Sequence, residues 1–194
     1  EIRIRDWSSD VCSSDLALGT PVGTPGDVTR GLLRAGDLSS PSNQHEVAAG
    51  DLDGDGIDDL VVANNGQVFV RVFLGMGDGT FRAPLDVATA RVATGVQLGD
   101  VDGDGRRDLV LANHNDHGVT VVRQVGPMTF DLPVFVATGQ NPLVTRLADL
   151  DADGLPEIIV ANRNSYFLTV LRRNGDGTYA RTDIPSDGRP GTVA

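Results

Sequence analysis

Apolar residues in this chain come in short bursts set off by Gly, Asp and Asn, never in long stretches. The clearest bursts are Leu60-Val61-Val62-Ala63, Leu109-Val110-Leu111-Ala112 and Ile158-Ile159-Val160-Ala161. Runs this short, rich in β-branched residues and bounded by turn formers, predict buried strands and not helices. Each is preceded by a shorter stretch, Val47-Ala48-Ala49, Val96-Gln97-Leu98 or Thr145-Arg146-Leu147, which predicts a first strand. An Asn-rich turn follows each burst, and then a third apolar stretch at residues 68–74, 119–125 and 168–172. Gly-rich turns come next, GMGDGTF from Gly75, GPMTF from Gly126 and NGDGTY from Asn174, ahead of a fourth strand around Val87 or Val136. None of the repeats carries a helical period.

The pattern is periodic as well as local. The phrases DLDGDGIDDLVVAN, DVDGDGRRDLVLAN and DLDADGLPEIIVAN begin at Asp51, Asp100 and Asp149, 49 residues apart. The register continues through Asn64, Asn113 and Asn162, through Val72, Val121 and Val170, and through Gly77, Gly126 and Gly175. It closes on Phe81, Phe130 and Tyr179. Self-similarity at a fixed period marks one supersecondary unit copied along the chain, and four short strands per unit is the size of a propeller blade. The expected fold is therefore all-β: a partial β-propeller of about three four-stranded blades, truncated at both ends.

Charge changes the picture next. The formal net charge is −11, and 13 of the 27 acidic residues fall in the three loops that open the repeats. Carboxylates packed this closely call for a counter-ion, and three bound dications would bring the chain to about −5. In D-x-D-x-D-G-x-x-D the acids at positions 1, 3 and 5 converge as the loop curls, Gly at 6 permits the turn, the carbonyl at 7 points inward, and the acid at 9 closes the shell. Oxygen donors in this number suit Ca²⁺, whereas Mg²⁺ tends to keep water. The expected ligands are Asp51, Asp53, Asp55, the carbonyl of Ile57 and Asp59; then Asp100, Asp102, Asp104, the carbonyl of Arg106 and Asp108; then Asp149, Asp151, Asp153, the carbonyl of Leu155 and Glu157. One Ca²⁺ per complete repeat gives three. An EF-hand shares the opening but needs Glu at position 12, where Val62, Leu111 and Val160 stand inside predicted strands. Dockerin-type loops fail for the same reason.

The repeats resemble the FG-GAP/VCBS family, found in integrin α-subunit heads and many bacterial secreted proteins. The resemblance covers roughly residues 44–194 and rests on the acidic loop followed by the segment from Gly77 to Phe81. It implies a propeller with Ca²⁺ in the loop joining the first and second strands, metal loops at 51–59, 100–108 and 149–157, and repeats spanning 47–194. GPMTF in the second copy and Pro156-Glu157 in the third depart from the pattern. Residues 1–16 resemble a different thing, a translated sequencing-library adapter, carried by DWSSDVCSSDL with EIRIR before it. They hold the only cysteine, Cys12, and the only tryptophan, Trp7. The expectation is a non-native, disordered segment at 1–16 and a remnant of a preceding blade at 17–46, with a fourth-strand candidate at 31–38. The chain then reads as a fragment of a longer array, marginally stable alone, whose full-length parent is monomeric.

Function is less legible. No G-x-S-x-G or H-E-x-x-H occurs, and no acid pair stands outside the metal loops. His114 and His117 lie three apart in a turn and read as solvated, since a transition-metal site needs a third ligand. An acidic chain without a Lys/Arg cluster is a poor match for nucleic acid or an anionic membrane. No apolar run approaches the ~18 residues of a membrane span. The expected function is a calcium-stabilised, secreted or cell-surface propeller for adhesion or recognition of a protein or carbohydrate, without catalysis. The alternative is a portion of a secreted enzyme of the polysaccharide lyase or phosphohydrolase type. The most variable turn between copies follows the shared Asn, at the end opposite the metal loops, where a rigid frame presents binding residues.

Overall fold

The computed structural model describes residues 33–34 and 44–188. The expectations for 1–16, and most of those for 17–46, lie outside the described residues. Among the described residues sixteen strands run in chain order. β1 is Leu33–Arg34 and β2 Gln44–Gly50; β3 is Asp59–Asn64, β4 Phe69–Phe73, β5 Thr80–Phe81 and β6 Leu85–Ala88. β7 is Gly95–Gly99, β8 Asp108–Asn113, β9 Gly118–Val122, β10 Gln124–Gly126, β11 Thr129–Phe130 and β12 Val134–Ala137. β13 is Pro142–Ala148, β14 Glu157–Asn162, β15 Phe167–Arg173 and β16 Tyr179–Pro185.

Twelve of these strands form three antiparallel four-stranded sheets, ordered β2-β3-β4-β6, β7-β8-β9-β12 and β13-β14-β15-β16. Each sheet is one blade of a partial propeller, its four strands following one another in chain order, with the short strands β5, β10 and β11 lying outside the four-stranded sheets. The apolar bursts are the second strands, as expected. The described residues contain no helix, and so none long and apolar enough to cross a membrane.

Period-2 alternation lets the middle blade's second strand pack against two different neighbours. In the middle blade Leu109 and Leu111 pack into one cluster with Val61, Ala63, Val70 and Val72 of the first blade. Val110, from the same strand, packs the other way with Ile158, Val160 and Leu171 of the third blade. All four residues from Leu109 to Ala112 are fully buried. The core is thus two inter-blade layers, each formed from facing sides of two sheets.

Two departures from the sequence reading are structural. The middle third strand was expected to run through Val125, but β9 ends at Val122 and β10 starts at Gln124. The cause is the GPMTF turn, which folds back so that β10 pairs with β11 across a register shift. In the first blade the matching Thr80–Phe81 pairs instead with Leu33–Arg34, which lies inside the 31–38 candidate. The aromatic that closes each repeat then has a clear role. Phe130 packs against the layer between blades one and two, and Tyr179 against the layer between two and three. Burial pushes the Tyr179 hydroxyl up to about 12. Phe81 meets Phe73 edge-on at 6.4 Å.

Candidate metal centres

Each acidic loop joins the first and second strands of its blade, so all three lie at the same end of the sheets. The loops owe their curl to residues of positive φ. Gly54 and Gly56 have φ of 83° and 84°, and Gly103 and Gly105 have 81° and 82°. Position 4 of the third loop is Ala152, which adopts φ of 60° despite its Cβ. An L-residue held there carries strain of about 1–2 kcal/mol.

The first acid organises the loop. Asp51 accepts from the amides of Gly54 at 2.7 Å and Gly56 at 2.9 Å, and those bonds hold its pKa below the usual carboxylate range. Asp100 accepts from Gly103, Asp104 and Gly105 in the same way. In the third loop Asp149 accepts from Gly154 at 3.1 Å.

The structure brings together three acids per loop: Asp51, Asp53 and Asp59; Asp100, Asp102 and Asp108; Asp149, Asp151 and Glu157, each set with one oxygen per residue within 4.8 Å of the others. Positions 1, 3 and 9 therefore converge. The position-5 acids Asp55, Asp104 and Asp153 fall outside these clusters and accept from the amides of Ile57, Arg106 and Leu155, the residues expected to offer carbonyls. That amide, with Arg172 beside it, lowers the pKa of Asp153. His114 and His117 join no cluster: His114 Nδ1 meets the carbonyl oxygen of Pro142, and His117 Nδ1 accepts from the amide of Asn141.

The ninth position does more than the sequence suggested. Asp59 is buried and accepts from the amide of Leu52 at 2.8 Å and from that of Gly75 at 2.8 Å. Asp108 repeats this with Val101 at 2.9 Å and Gln124 at 2.8 Å, and Glu157 accepts from Leu150 at 2.8 Å. In the first two blades this acid latches the loop to the end of the third strand. Burial, reinforced by the charges of Asp102 and Asp104, pushes Asp108 up to about 6. Burial also raises Asp59.

Arginines are the second feature that sequence reading missed. Each position-3 acid has one: Arg82 lies 3.7 Å from Asp53, Arg123 is 2.9 Å from Asp102, and Arg172 is 2.5 Å from Asp151. Arg172 also reaches Asp153 at 3.0 Å. Only the 49-residue correspondence of Arg123 and Arg172 could have hinted at this.

The residues present fit a hard dication. The side chain of Asp102 is 8% exposed, and its Oδ1 is buried with no hydrogen-bond partner while Oδ2 takes Arg123. A buried carboxylate oxygen without a donor, on an acid that clusters with two further carboxylates, is a ligand position. Asp100, Asp102 and Asp108 would hold the ion there, and the other two triads in their loops. The ion would supply charge neutralisation and loop order, not reactivity.

A family model for the FG-GAP-like repeat matches residues 51–111 and 100–160, together more than half of the chain. No curated protein matches. Among solved structures, an Agrocybe aegerita lectin described as specifically recognising non-reducing terminal N-acetylglucosamine superposes with a TM-score of 0.54 at 24% identity. The match covers 75% of this chain and 40% of the lectin's own length. At that identity the likeness shows the fold.

Proposed function

The chain belongs to the FG-GAP-like repeat family, and from that premise we propose that it is a calcium-stabilised, non-catalytic propeller module for adhesion or ligand recognition outside the cell. The observation that carries the calcium reading is the orphaned Oδ1 of Asp102, buried within a triad of acids. The same triad recurs at the same end of all three blades, which supports one ion per loop.

Loops of this kind in extracellular modules bind Ca²⁺ at about 10⁻⁴–10⁻³ M. Such sites fill outside a cell and stay largely empty in the cytosol, which favours secretion or the cell surface. Metal loops at one end leave the opposite end, with its variable turns, as the recognition surface. The ligand is a protein or a carbohydrate, and the lectin that shares the fold favours the second.

Thermal melting in calcium and in chelator tests the stabilising role. At ten times Kd each site adds about 1.4 kcal/mol, so calcium at about 1–10 mM raises the melting temperature by several degrees. Melts that coincide in calcium and chelator contradict the reading.

A further inference from the structure

Resting on that reading, and naming its ligand class, we propose that the cleft between the second and third blades, at the end opposite the metal loops, binds a neutral saccharide unit. The cleft measures about 460 Å³ and is lined by His117, Thr138, Gln140, Asn164, Ser165 and Tyr166, with Gly139 and Phe167 beside them. Those residues come from the β8–β9 turn, the β12–β13 connection and the β14–β15 turn, so two blades build it together.

Comparison within the molecule supplies the argument. One repeat back, the equivalents of Gln140 and Ser165 are Arg91 and Asp116. There Arg91 stacks on the Phe135 ring at 3.9 Å and pairs with Asp116 at 3.2 Å, so a charged pair holds that position. In this cleft the Gln140 backbone amide donates to Ser165 Oγ at 2.9 Å. A neutral glutamine and a neutral serine stand where the preceding repeat has its ion pair. Position 166 presents a tyrosine 61% exposed, the most exposed aromatic ring among the described residues.

The walls are braced before any ligand arrives. Asn164 Nδ2 donates to Asn141 Oδ1 at 2.7 Å, and Asn141 Nδ2 donates to the His114 carbonyl at 3.2 Å. The Asn141 amide donates to His117 Nδ1, which leaves Nε2 as the ring's donor. Behind the cleft Arg181 lies 5.8 Å from the Phe167 ring, donates to the carbonyls of Ala137 and Thr138, and is paired with Asp183 at 2.8 Å. Its charge is therefore matched. An aromatic face ringed by amide, hydroxyl and imidazole groups, with no Lys, Arg, Asp or Glu on the lining, suits a polyhydroxylated ring of no net charge. A uronate or a phosphorylated sugar would find no Lys or Arg on this lining to meet its charge.

Saturation-transfer NMR on the whole chain, in calcium, tests this with neutral methyl glycosides of gluco, galacto and manno configuration beside methyl glucuronide. The expected result is transfer to at least one neutral glycoside and weaker transfer to the glucuronide. Tyr166→Ala should reduce the affinity about tenfold. The double variant Gln140→Arg with Ser165→Asp, which installs the ion pair of Arg91 and Asp116 from the preceding repeat, should abolish it. The calcium-dependent rise in melting temperature is recorded on the same samples and should persist in both variants. Absence of transfer, transfer that survives the double variant, or stronger binding of the glucuronide overturns the saccharide site. If the melting shift remains in that case, the calcium-stabilised module stands without it; if the shift is absent as well, that reading has failed separately.

Discussion

At the residue scale the ninth acid of the first two loops carries two roles that compete for the same carboxylate. Asp108 faces the triad yet spends both oxygens on the amides of Val101 and Gln124. Asp108→Ala leaves two buried amides without acceptors, a cost of about 2–4 kcal/mol. Urea denaturation in chelator should show that loss with no metal present, which separates the latch from metal binding. Ala152 offers the opposite test. Because it sits at φ of 60° where the other loops have Gly, Ala152→Gly should stabilise the chain by about 0.5–1 kcal/mol, strain relief outweighing the added chain entropy. An unchanged urea midpoint would mean that the loop absorbs the strain. The converging acids at positions 1, 3 and 9 were legible in the sequence because their spacing is local. The latch was not, since its partners Gly75 and Gln124 stand 16 residues downstream. Nor were the arginines, which reach the loops only once the blades have folded.

At the scale of elements, one strand serves two interfaces, and its residues should differ accordingly. Leu111 is fully buried against the first blade, so Leu111→Ala should cost about 2–5 kcal/mol. Ile159 lies on the outward side of the third blade's second strand and is only half-buried. Ile159→Ala should cost clearly less, and equal losses would refute the two-sided layering. Between the first two blades, Glu46 on β2 accepts from the Val96 amide at 3.2 Å and Gln97 Nε2 at 3.4 Å. Burial raises its pKa from the ordinary 4.5, against the pull of those bonds and of Arg146. The folded state then holds this proton more tightly than the unfolded state. That contribution is fully present below pH 4.5 and is lost as pH rises through the folded pKa. Glu46→Gln should flatten the fall in stability above pH 4.5, as followed by melting across pH. The main strands were readable from apolar bursts, whereas β5, β10 and β11 were hidden in Gly-rich turns whose residues also suit loops.

Across the whole molecule, blades are stable by covering one another. The second loop residue shows it: Leu52 and Val101 are 2% and 1% exposed, each plugged into the layer shared with the next blade, while Leu150 is 57% exposed on the outward side of the third. Val101→Asp should therefore unfold the chain, and Leu150→Asp should be tolerated, as circular dichroism would read. The 49-residue period made this stacking legible, because one blade cannot bury both faces of its sheet. The central claim is one calcium ion per acidic loop, and isothermal titration calorimetry measures it most directly. The account predicts three calcium ions per chain at sub-millimolar to millimolar Kd, and two for Asp102→Ala, with the remaining sites unchanged. Absence of calcium heat at millimolar concentration, or an Asp102→Ala chain that still binds three, would contradict it.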